Sequence, residues 1–168
     1  MANDFDALLQ RVIREARAVK IPVSRRIAPH VEINTRATGR FGCCRKTAFG
    51  YTIELTDRLR DAPERACLQT LAHEILHTCA GCRDHGERWK SYAARMNAAY
   101  GYDVHRTDTC EALGIADTRR ANWAVRCLSC GKTITRQRRS ALITHPERYR
   151  CRCGGRLIPV SLTKEDLA

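Results

Sequence analysis

Three histidines and one glutamate near the middle of the chain have the types and the spacing of a hydrolytic metal site. His73 and His77 are four residues apart, His85 follows eight residues later, and Glu74 comes directly after the first histidine. Side chains four residues apart lie on one face of a helix, so two neutral imidazoles can bind one Zn²⁺ ion. A third histidine completes three protein ligands and leaves the fourth position open for water, as in catalytic rather than structural zinc sites.

This arrangement predicts a definite chemistry. Zinc held by three neutral imidazoles keeps its full charge, and the pKa of water bound to such an ion falls to about 7. Glu74 lies inside the motif, so it is predicted to be the base that takes the proton and returns it to a leaving amine. The sequence does not decide which residue helps the metal to stabilise an oxyanion. The candidates are several arginines and three tyrosines: Tyr92, Tyr100 and Tyr102. The remaining histidines are predicted to have no part in the site.

The residues around the motif predict two helices joined by a tight turn. Asp61 and Glu64 have the spacing of a capping box, and Pro63 fits the first turn of a helix. Apolar residues then recur at helical spacing and predict one buried stripe: Leu68, Leu71, Ala72, Ile75, Leu76 and Cys79. Gly81 is predicted to end this helix, so that His85 is supplied from the start of a second helix.

Earlier segments are predicted to form the scaffold. Apolar residues between Asp4 and Pro22 recur at helical spacing and predict an N-terminal amphipathic helix: Phe5, Leu8, Leu9, Val12, Ile13 and Ala16. Alternation over residues 30–36 and 51–55 predicts two or three strands, and residues 39–44 are predicted to be a hairpin turn. A helix, then strands, then two helices is an α+β order.

The segment LAHEILHTCAGCRDHGERWK resembles the active-site segment of the SprT-like zinc metallopeptidases, the family that includes the DNA-protein crosslink protease Spartan. In that family HExxH is followed by a histidine-glycine pair and then an aromatic residue, as it is here. The resemblance covers about residues 5–158. It implies a zincin-like metallopeptidase domain with an edge strand that can pair with an extended substrate. By position it also implies that His73, His77 and His85 bind the catalytic zinc and that Glu74 is the catalytic base.

Four cysteines near the C-terminus have the spacing of a second metal site. Two residues separate Cys127 from Cys130, one residue separates Cys151 from Cys153, and about twenty residues lie between the pairs. This pattern predicts a small zinc ribbon with a structural Zn²⁺ ion. Residues 121–160 hold too little apolar material for an independent core, so metal binding and folding should be coupled. The second pair is one residue shorter than the family's usual spacing, so a degenerate, metal-free ribbon is the alternative.

Two further cysteine pairs lie outside the predicted ribbon. The CxxC pair Cys79 and Cys82 could act as a redox switch, or Cys82 could compete with His85 for zinc. The family resemblance includes this element and favours a local structural role. Cys43 and Cys44 are adjacent, and burial is a better prediction for them than a disulfide.

The positive charge of the chain is concentrated near its C-terminus. Lys and Arg number 30 against 18 Asp and Glu, which gives a net charge of +12, and residues 119–160 alone carry eleven basic residues and one acidic residue. An arginine-rich module with Trp123 and Tyr149 available for stacking predicts a nucleic-acid-binding surface. The candidate contacts are Arg126, Lys132, Arg136, Arg138, Arg139, Arg148, Arg150 and Arg152. Arginines that only increase solubility are the alternative.

Length and composition complete the prediction. We expect a metallopeptidase domain over residues 1–118, a zinc ribbon over 119–160 and a tail over 161–168. No run of eighteen apolar residues and no secretory leader is visible in the sequence. We therefore expect a cytoplasmic protein whose ten cysteines stay reduced, with association with the nucleoid as an alternative location. The sequence does not decide the oligomeric state, and a monomer is assumed.

Together these features predict a zinc-dependent metalloendopeptidase that cleaves proteins bound or crosslinked to single-stranded or damaged DNA. One alternative is a nucleic-acid-binding adaptor whose zinc site is vestigial, and the intact Glu74 argues against it. Another alternative is a metalloprotease for a specific partner protein that is not linked to DNA. Salt dependence would separate the DNA-linked protease from this second alternative, because phosphate binding weakens steeply as salt rises.

Overall fold

The computed structural model describes residues 2–117 and 121–162, and the chain divides into two compact units, residues 1–117 and 118–168. Arg119 and Arg120, which contribute to the predicted basic module, lie outside the described residues. So does the part of the predicted tail from residue 163 onward. Within the described ranges, no helix has the length and apolar character needed to cross a membrane.

The N-terminal unit begins with helix α1, Phe5–Ala18. Asp4 caps this helix, because its carboxylate accepts a hydrogen bond from the backbone N–H of Ala7 at 3.1 Å. The helix buries the apolar residues that its periodicity predicted: Phe5, Leu8, Leu9, Val12, Ile13 and Ala16. This face packs against the helix that carries the histidine motif.

A small sheet follows α1, with strands β1 (Glu32–Asn34), β2 (Gly42–Thr47) and β3 (Gly50–Thr56). The strand order is β1-β3-β2, with β1 parallel and β2 antiparallel to β3, so β2 is an edge strand. The prediction of a hairpin turn over residues 39–44 is wrong. The ladder between β2 and β3 continues through Cys43 and Cys44, which are half-buried, and the turn lies between β2 and β3.

Helix α2, Glu64–Leu76, contains His73 and ends directly before His77. The predicted capping box is wrong, because Pro63 occupies the N-cap position with an extended backbone and no side-chain hydrogen bond caps the helix. Proline also disfavours the helical conformation at the residue before it, so the helix cannot start near Asp61. Glu64 pairs instead with Arg11 of α1 at 2.9 Å.

The end of α2 also differs from the prediction. The last turn tightens into hydrogen bonds between residues three apart, and His77 is the C-cap. Gly81, with a φ of 76°, lies in the following turn and does not end the helix. Helix α3, Glu87–Tyr100, follows this turn and is closed by Gly101 in the left-handed conformation, with a φ of 66°.

The apolar core of this unit surrounds α2. Side chains from α1, β3, α2 and α3 are completely buried there, among them Leu9, Ile53, Leu71, Ile75 and Met96. The unit is therefore a mixed α/β structure with a small sheet, as the order of elements predicted, while the zincin-like fold stays a prediction. The histidine motif lies on the most deeply buried helix, which holds its side chains rigidly.

The C-terminal unit is a small antiparallel sheet with one short helix in its described part. Strands β4 (Trp123–Cys127), β5 (Thr133–Arg136) and β6 (Leu157–Val160) pair in the order β5-β4-β6, and helix α4 spans Ala141–Thr144. Its buried cluster consists of five residues: Val125, Cys127, Ile143, Cys151 and Leu157. Two of these five are predicted metal ligands.

Candidate functional site

Helix α2 and the loop before α3 bring the three predicted histidine ligands together. The Nε2 atoms of His77 and His85 lie 3.3 Å and 3.0 Å from Nε2 of His73. Tetrahedral ligands with Zn–N bonds of about 2.0–2.1 Å lie about 3.3–3.4 Å apart. Both distances are therefore close to the spacing that a zinc ion requires, and the ligand atoms of all three histidines lie within 4.8 Å of one another, so this donor set fits zinc.

Backbone carbonyls fix the orientation of two of these rings. Nδ1 of His73 lies 2.8 Å from the carbonyl oxygen of His105, and Nδ1 of His77 lies 2.7 Å from that of Cys82. A carbonyl oxygen only accepts hydrogen bonds, so both Nδ1 atoms carry a proton and donate it. Their Nε2 atoms are therefore unprotonated, and the lone pairs of these atoms face one another. An imidazole binds a metal through such an unprotonated nitrogen.

Burial also favours the neutral form of His73 and His85. Desolvation lowers the pKa of His73 to about 4, and the neighbouring His77 and His85 contribute to this shift. Desolvation lowers the pKa of His85 as well. His73 and His85 can therefore act as metal ligands at neutral pH with little competition from protons.

Trp89 of α3 forms an apolar floor beneath the three imidazoles. Its ring centroid lies 4.8 Å from that of His73, 5.8 Å from that of His77 and 4.6 Å from that of His85. The indole is buried, and its Nε1–H has no hydrogen-bond partner among the described residues. An apolar shell of this kind restricts water and holds the ligand rings in place.

Glu74 lies at the cleft edge of strand β2. Its carboxylate accepts a hydrogen bond from the backbone N–H of Cys44, and burial raises its pKa to about 7. A Cβ on Gly42 would lie only 2.7 Å from both Cγ and Oε1 of Glu74, so only glycine leaves room for this carboxylate. Glu74 is 7% exposed and is thus positioned by two backbone features of β2.

A cleft of about 870 Å³ opens over the histidines, with β2 on one side and the turn after α2 on the other. The backbone N–H of Thr56 donates to the carbonyl of Phe41 at 2.8 Å, so Phe41 is hydrogen-bonded to β3. Along β2, residues that are hydrogen-bonded to β3 alternate with residues whose main-chain groups face the other way. The main-chain groups of Gly42, Cys44 and Lys46 therefore point away from β3, along the free edge of β2. An extended peptide can form hydrogen bonds with this edge.

The tyrosine that lines the cleft is Tyr51 of β3, which the sequence did not indicate. The hydroxyl of Tyr100 donates to the backbone carbonyl of Glu15 at 3.0 Å, and the hydroxyl of Tyr102 donates to the Glu15 carboxylate. Tyr92 packs against an arginine of α3. The three candidate tyrosines therefore have contacts elsewhere. The sequence did contain a signal for this position. Tyr51 alternates with Ile53 and Leu55, two buried residues of β3, and this alternation places its ring on the face toward α2.

The chain matches the SprT-like family over residues 7–111, which is more than half of its length and includes the three histidines and Glu74. It belongs to the SprT-like family. Membership suggests a metallopeptidase-like domain in the N-terminal unit. The SprT-like match ends before the C-terminal cysteines, so it does not extend to residue 158 as the sequence resemblance suggested. A comparison with curated proteins gives no match.

Beyond the SprT-like region, the four predicted cysteine ligands also come together. The Sγ atoms of Cys127 and Cys153 lie 3.5 Å apart, those of Cys130 and Cys151 lie 3.7 Å apart, and all four lie within 4.8 Å of one another. Zn–S bonds of about 2.3 Å at tetrahedral angles place sulfur atoms about 3.8 Å apart. The cluster therefore fits one metal ion, whereas a disulfide would need a separation of about 2 Å.

The shortened second cysteine pair also closes a turn, with a hydrogen bond that spans one residue fewer than in the first pair. The carbonyl of Cys127 accepts from the N–H of Gly131 at 3.0 Å, and the carbonyl of Cys151 accepts from that of Gly154 at 2.8 Å. Both glycines have positive φ, 71° and 84°. A Cβ on Gly155 would lie 2.5 Å from the Cys127 Sγ atom, so this glycine lets the two turns approach.

Backbone donors also favour the thiolate form of one ligand. The N–H groups of Cys130 and Ser129 donate to the sulfur of Cys127 and lower the pKa of this thiol to about 6. Metal binding requires the thiolate, so these backbone donors favour the binding of a cation at the first turn.

The predicted nucleic-acid contacts all lie on the surface of the C-terminal unit. The eight basic side chains are exposed: Arg126, Lys132, Arg136, Arg138, Arg139, Arg148, Arg150 and Arg152. Trp123 is 39% exposed, and the Arg139 guanidinium lies 5.4 Å from its ring centroid. Trp123 also faces Arg136 across the β4–β5 ladder. An aromatic ring between arginines is a surface that could bind bases and phosphates.

Proposed function

We propose that this protein is a zinc-dependent metalloendopeptidase that cleaves proteins bound or crosslinked to DNA. The observation that carries the proposal is the convergence of three imidazole Nε2 atoms beside Glu74 in an open cleft. Membership of the SprT-like family supports the same chemistry.

The proposed ligands are His73, His77 and His85, and zinc bound there would supply a Lewis acid and make bound water more acidic. Glu74 acts as the general base, accepting the proton of the attacking water on its carboxylate and returning it to the leaving amine. A pKa of about 7 suits both transfers near neutral pH. The Cys44 N–H and the absence of a side chain at Gly42 keep the carboxylate in place.

Strand β2 provides the substrate-binding edge in this proposal. The outward main-chain groups of Gly42 and Lys46, together with the carbonyl of Cys44, bind an extended segment as an additional strand, with little dependence on its sequence. Substrates must then be extended locally, which agrees with an endopeptidase that acts on many attached proteins rather than on one folded partner.

The DNA part of the proposal is supported by the exposed basic and aromatic side chains of the C-terminal unit. Phosphate binding by arginine gives affinity without sequence preference, and stacking on Trp123 favours unpaired bases. We therefore propose that single-stranded or damaged DNA recruits the protease to proteins attached to it.

The experiment compares cleavage of a DNA-binding protein by the wild type and by Glu74→Gln, each with and without single-stranded DNA. We expect Glu74→Gln to keep its zinc and to lose about 10²–10⁴-fold in rate, because the base is removed while the ligands stay. Glu87→Gln is a matched control, since Glu87 is exposed and pairs only with Lys90.

Two outcomes would contradict the proposal in different ways. Cleavage that single-stranded DNA, duplex DNA and RNA all leave unchanged would reject the DNA-linked function and favour a protease for a specific partner. Absence of cleavage by zinc-loaded wild type under every condition would favour the nucleic-acid-binding adaptor.

A further inference from the structure

The turn between β2 and β3 presents an exposed aromatic ring beside a groove. Phe49 is 90% exposed, whereas most large apolar side chains of this unit are buried. Together with neighbouring residues it lines a groove of about 430 Å³, here called the hairpin groove. Its other lining residues are Arg26, Ile27, Ala28, Thr47, Gly50, Tyr51 and Thr52.

Backbone hydrogen bonds hold the two walls of the hairpin groove together. The N–H of Ala28 donates to the carbonyl of Tyr51 at 2.8 Å, and the N–H of Tyr51 donates to that of Arg26 at 2.7 Å. Gly50 has a φ of 146°, and a Cβ there would lie 2.0 Å from the Arg26 carbonyl oxygen. The groove is thus a built feature rather than a chance gap between loops.

The charges beside the hairpin groove are positive and uncompensated. The side chains of Arg25, Arg26 and Lys46 are exposed and form no hydrogen bond or ion pair among the described residues. Arg45 differs, since it pairs with Glu32 and Glu54. Neither residues 24–28 nor 45–52 include an acidic residue, although the first 117 residues carry 15 acidic against 18 basic side chains. The three free cations therefore stand out in a nearly balanced unit.

The hairpin groove adjoins the cleft over the histidines. Tyr51 lines both cavities, and the consecutive residues Lys46 and Thr47 line the cleft and the groove respectively. A molecule bound in the hairpin groove would therefore lie directly beside the entrance to the cleft.

We propose that the hairpin groove binds single-stranded nucleic acid, with a base stacked on Phe49 and phosphates bound by Arg25, Arg26 and Lys46. Free cations around an exposed ring provide the two interactions that unpaired strands need, and a duplex would hide its base faces. Binding in this groove does not depend on the proteolytic activity. Only its consequence, a strand held beside the cleft so that attached proteins reach β2, rests on the proposed function.

The test uses the zinc-loaded full-length protein and a labelled single-stranded DNA of roughly 16 nucleotides that contains 5-iododeoxyuridine. Irradiation followed by mass spectrometry identifies the crosslinked peptides, and fluorescence anisotropy at several salt concentrations gives affinities. The variants are Phe49→Ala and the double variant Arg25→Gln with Arg26→Gln. The matched control is Arg14→Gln with Arg17→Gln, two exposed arginines of α1 with no side-chain partner among the described residues.

We expect a crosslink at the peptide that contains Phe49 and an affinity that Phe49→Ala weakens about 5-fold to 100-fold. The Arg25 and Arg26 double variant should reduce the salt slope by about 1.4, at about 0.7 for each lost phosphate contact. The α1 control should change the slope less.

The proposal is overturned if no crosslink forms at the hairpin and Phe49→Ala leaves the affinity unchanged. It is also overturned if Phe49→Ala slows cleavage equally with and without DNA and leaves the affinity unchanged, because the groove would then bind protein substrate. Neither result depends on whether DNA stimulates wild-type cleavage, so failure of the groove and failure of the proposed function are distinguishable.

Discussion

The two candidate metal centres are built by opposite means. The histidine site lies on α2, in the middle of a large apolar core, and its rings are oriented by the carbonyls of His105 and Cys82 and by Trp89. The cysteine site lies in a unit whose buried cluster has five residues, two of which are the predicted ligands Cys127 and Cys151. The surrounding fold supports the histidine site. The cysteine site, in contrast, itself forms much of the core of its unit.

This difference predicts different roles for the two candidate metal sites. A site formed before metal binding can leave one coordination position to a substrate, because the fold does not depend on that position. A site with four cysteines has no free position, and its binding free energy is used for folding. The comparison therefore predicts that the same treatment will affect the two units differently.

Metal removal should have the largest effect. We expect chelation to unfold residues 121–162 while the N-terminal unit stays folded, because structural zinc in small modules contributes about 10–16 kcal/mol of apparent binding free energy. Hydrogen exchange with mass spectrometry would measure protection in each unit. We also expect two zinc ions per chain, with one lost in Cys127→Ser and none lost in the control Cys43→Ser. Persistent protection of β4 in metal-free protein would show that the comparison is wrong.

The two adjacent glycines of the second cysteine turn offer a sharper test. Gly155→Ala should weaken zinc binding at the cysteine site by at least about 100-fold, because the added Cβ would lie 2.5 Å from the Cys127 sulfur. Gly154→Ala is the matched control, since its Cβ would meet nothing within 4 Å and only the left-handed φ adds about 1–2 kcal/mol. Competition with a chromophoric chelator gives both affinities. Equal losses in the two variants would mean that backbone strain, not close approach, controls this turn.

The sequence predicted those parts of the molecule that depend on local periodicity. Helix α1 and the buried stripe of α2 follow from apolar spacing, and the grouping of the three histidines follows from their positions on and after one helix. The hairpin position was missed because the ladder between β2 and β3 continues through Cys43 and Cys44, where the sequence suggested a turn.

The groups that position the site were missed for a different reason. His105 acts through its backbone carbonyl, Cys44 through its N–H, and Gly42 through the absence of a side chain. None of these contributions depends on residue chemistry that a motif search recognises. They arise where distant segments meet, so only the tertiary structure identifies them.

Gly42 therefore gives a test of how strictly β2 positions the base. Gly42→Ala should lower kcat by about 10–100-fold, because the added Cβ displaces the Glu74 carboxylate, while zinc content and KM change little. Gly39→Ala is the matched control, since a Cβ there meets nothing within 4 Å. Steady-state cleavage of a peptide and metal analysis measure both effects. An unchanged kcat in Gly42→Ala would show that Glu74 acts from another position.

Replacement of Trp89 should have the smallest effect and addresses the support of the histidine site. Trp89→Leu should weaken zinc binding there by about 10-fold, because three ring contacts are lost while both carbonyl hydrogen bonds stay. Trp89→Phe should change it less, since the indole Nε1–H has no partner to lose among the described residues. Competition with a chromophoric chelator measures these affinities, and Trp123→Phe in the C-terminal unit is the control. If Trp89→Leu binds zinc as tightly as the wild type, the carbonyls of His105 and Cys82 alone orient the ligands, and the surrounding core adds nothing to the metal affinity.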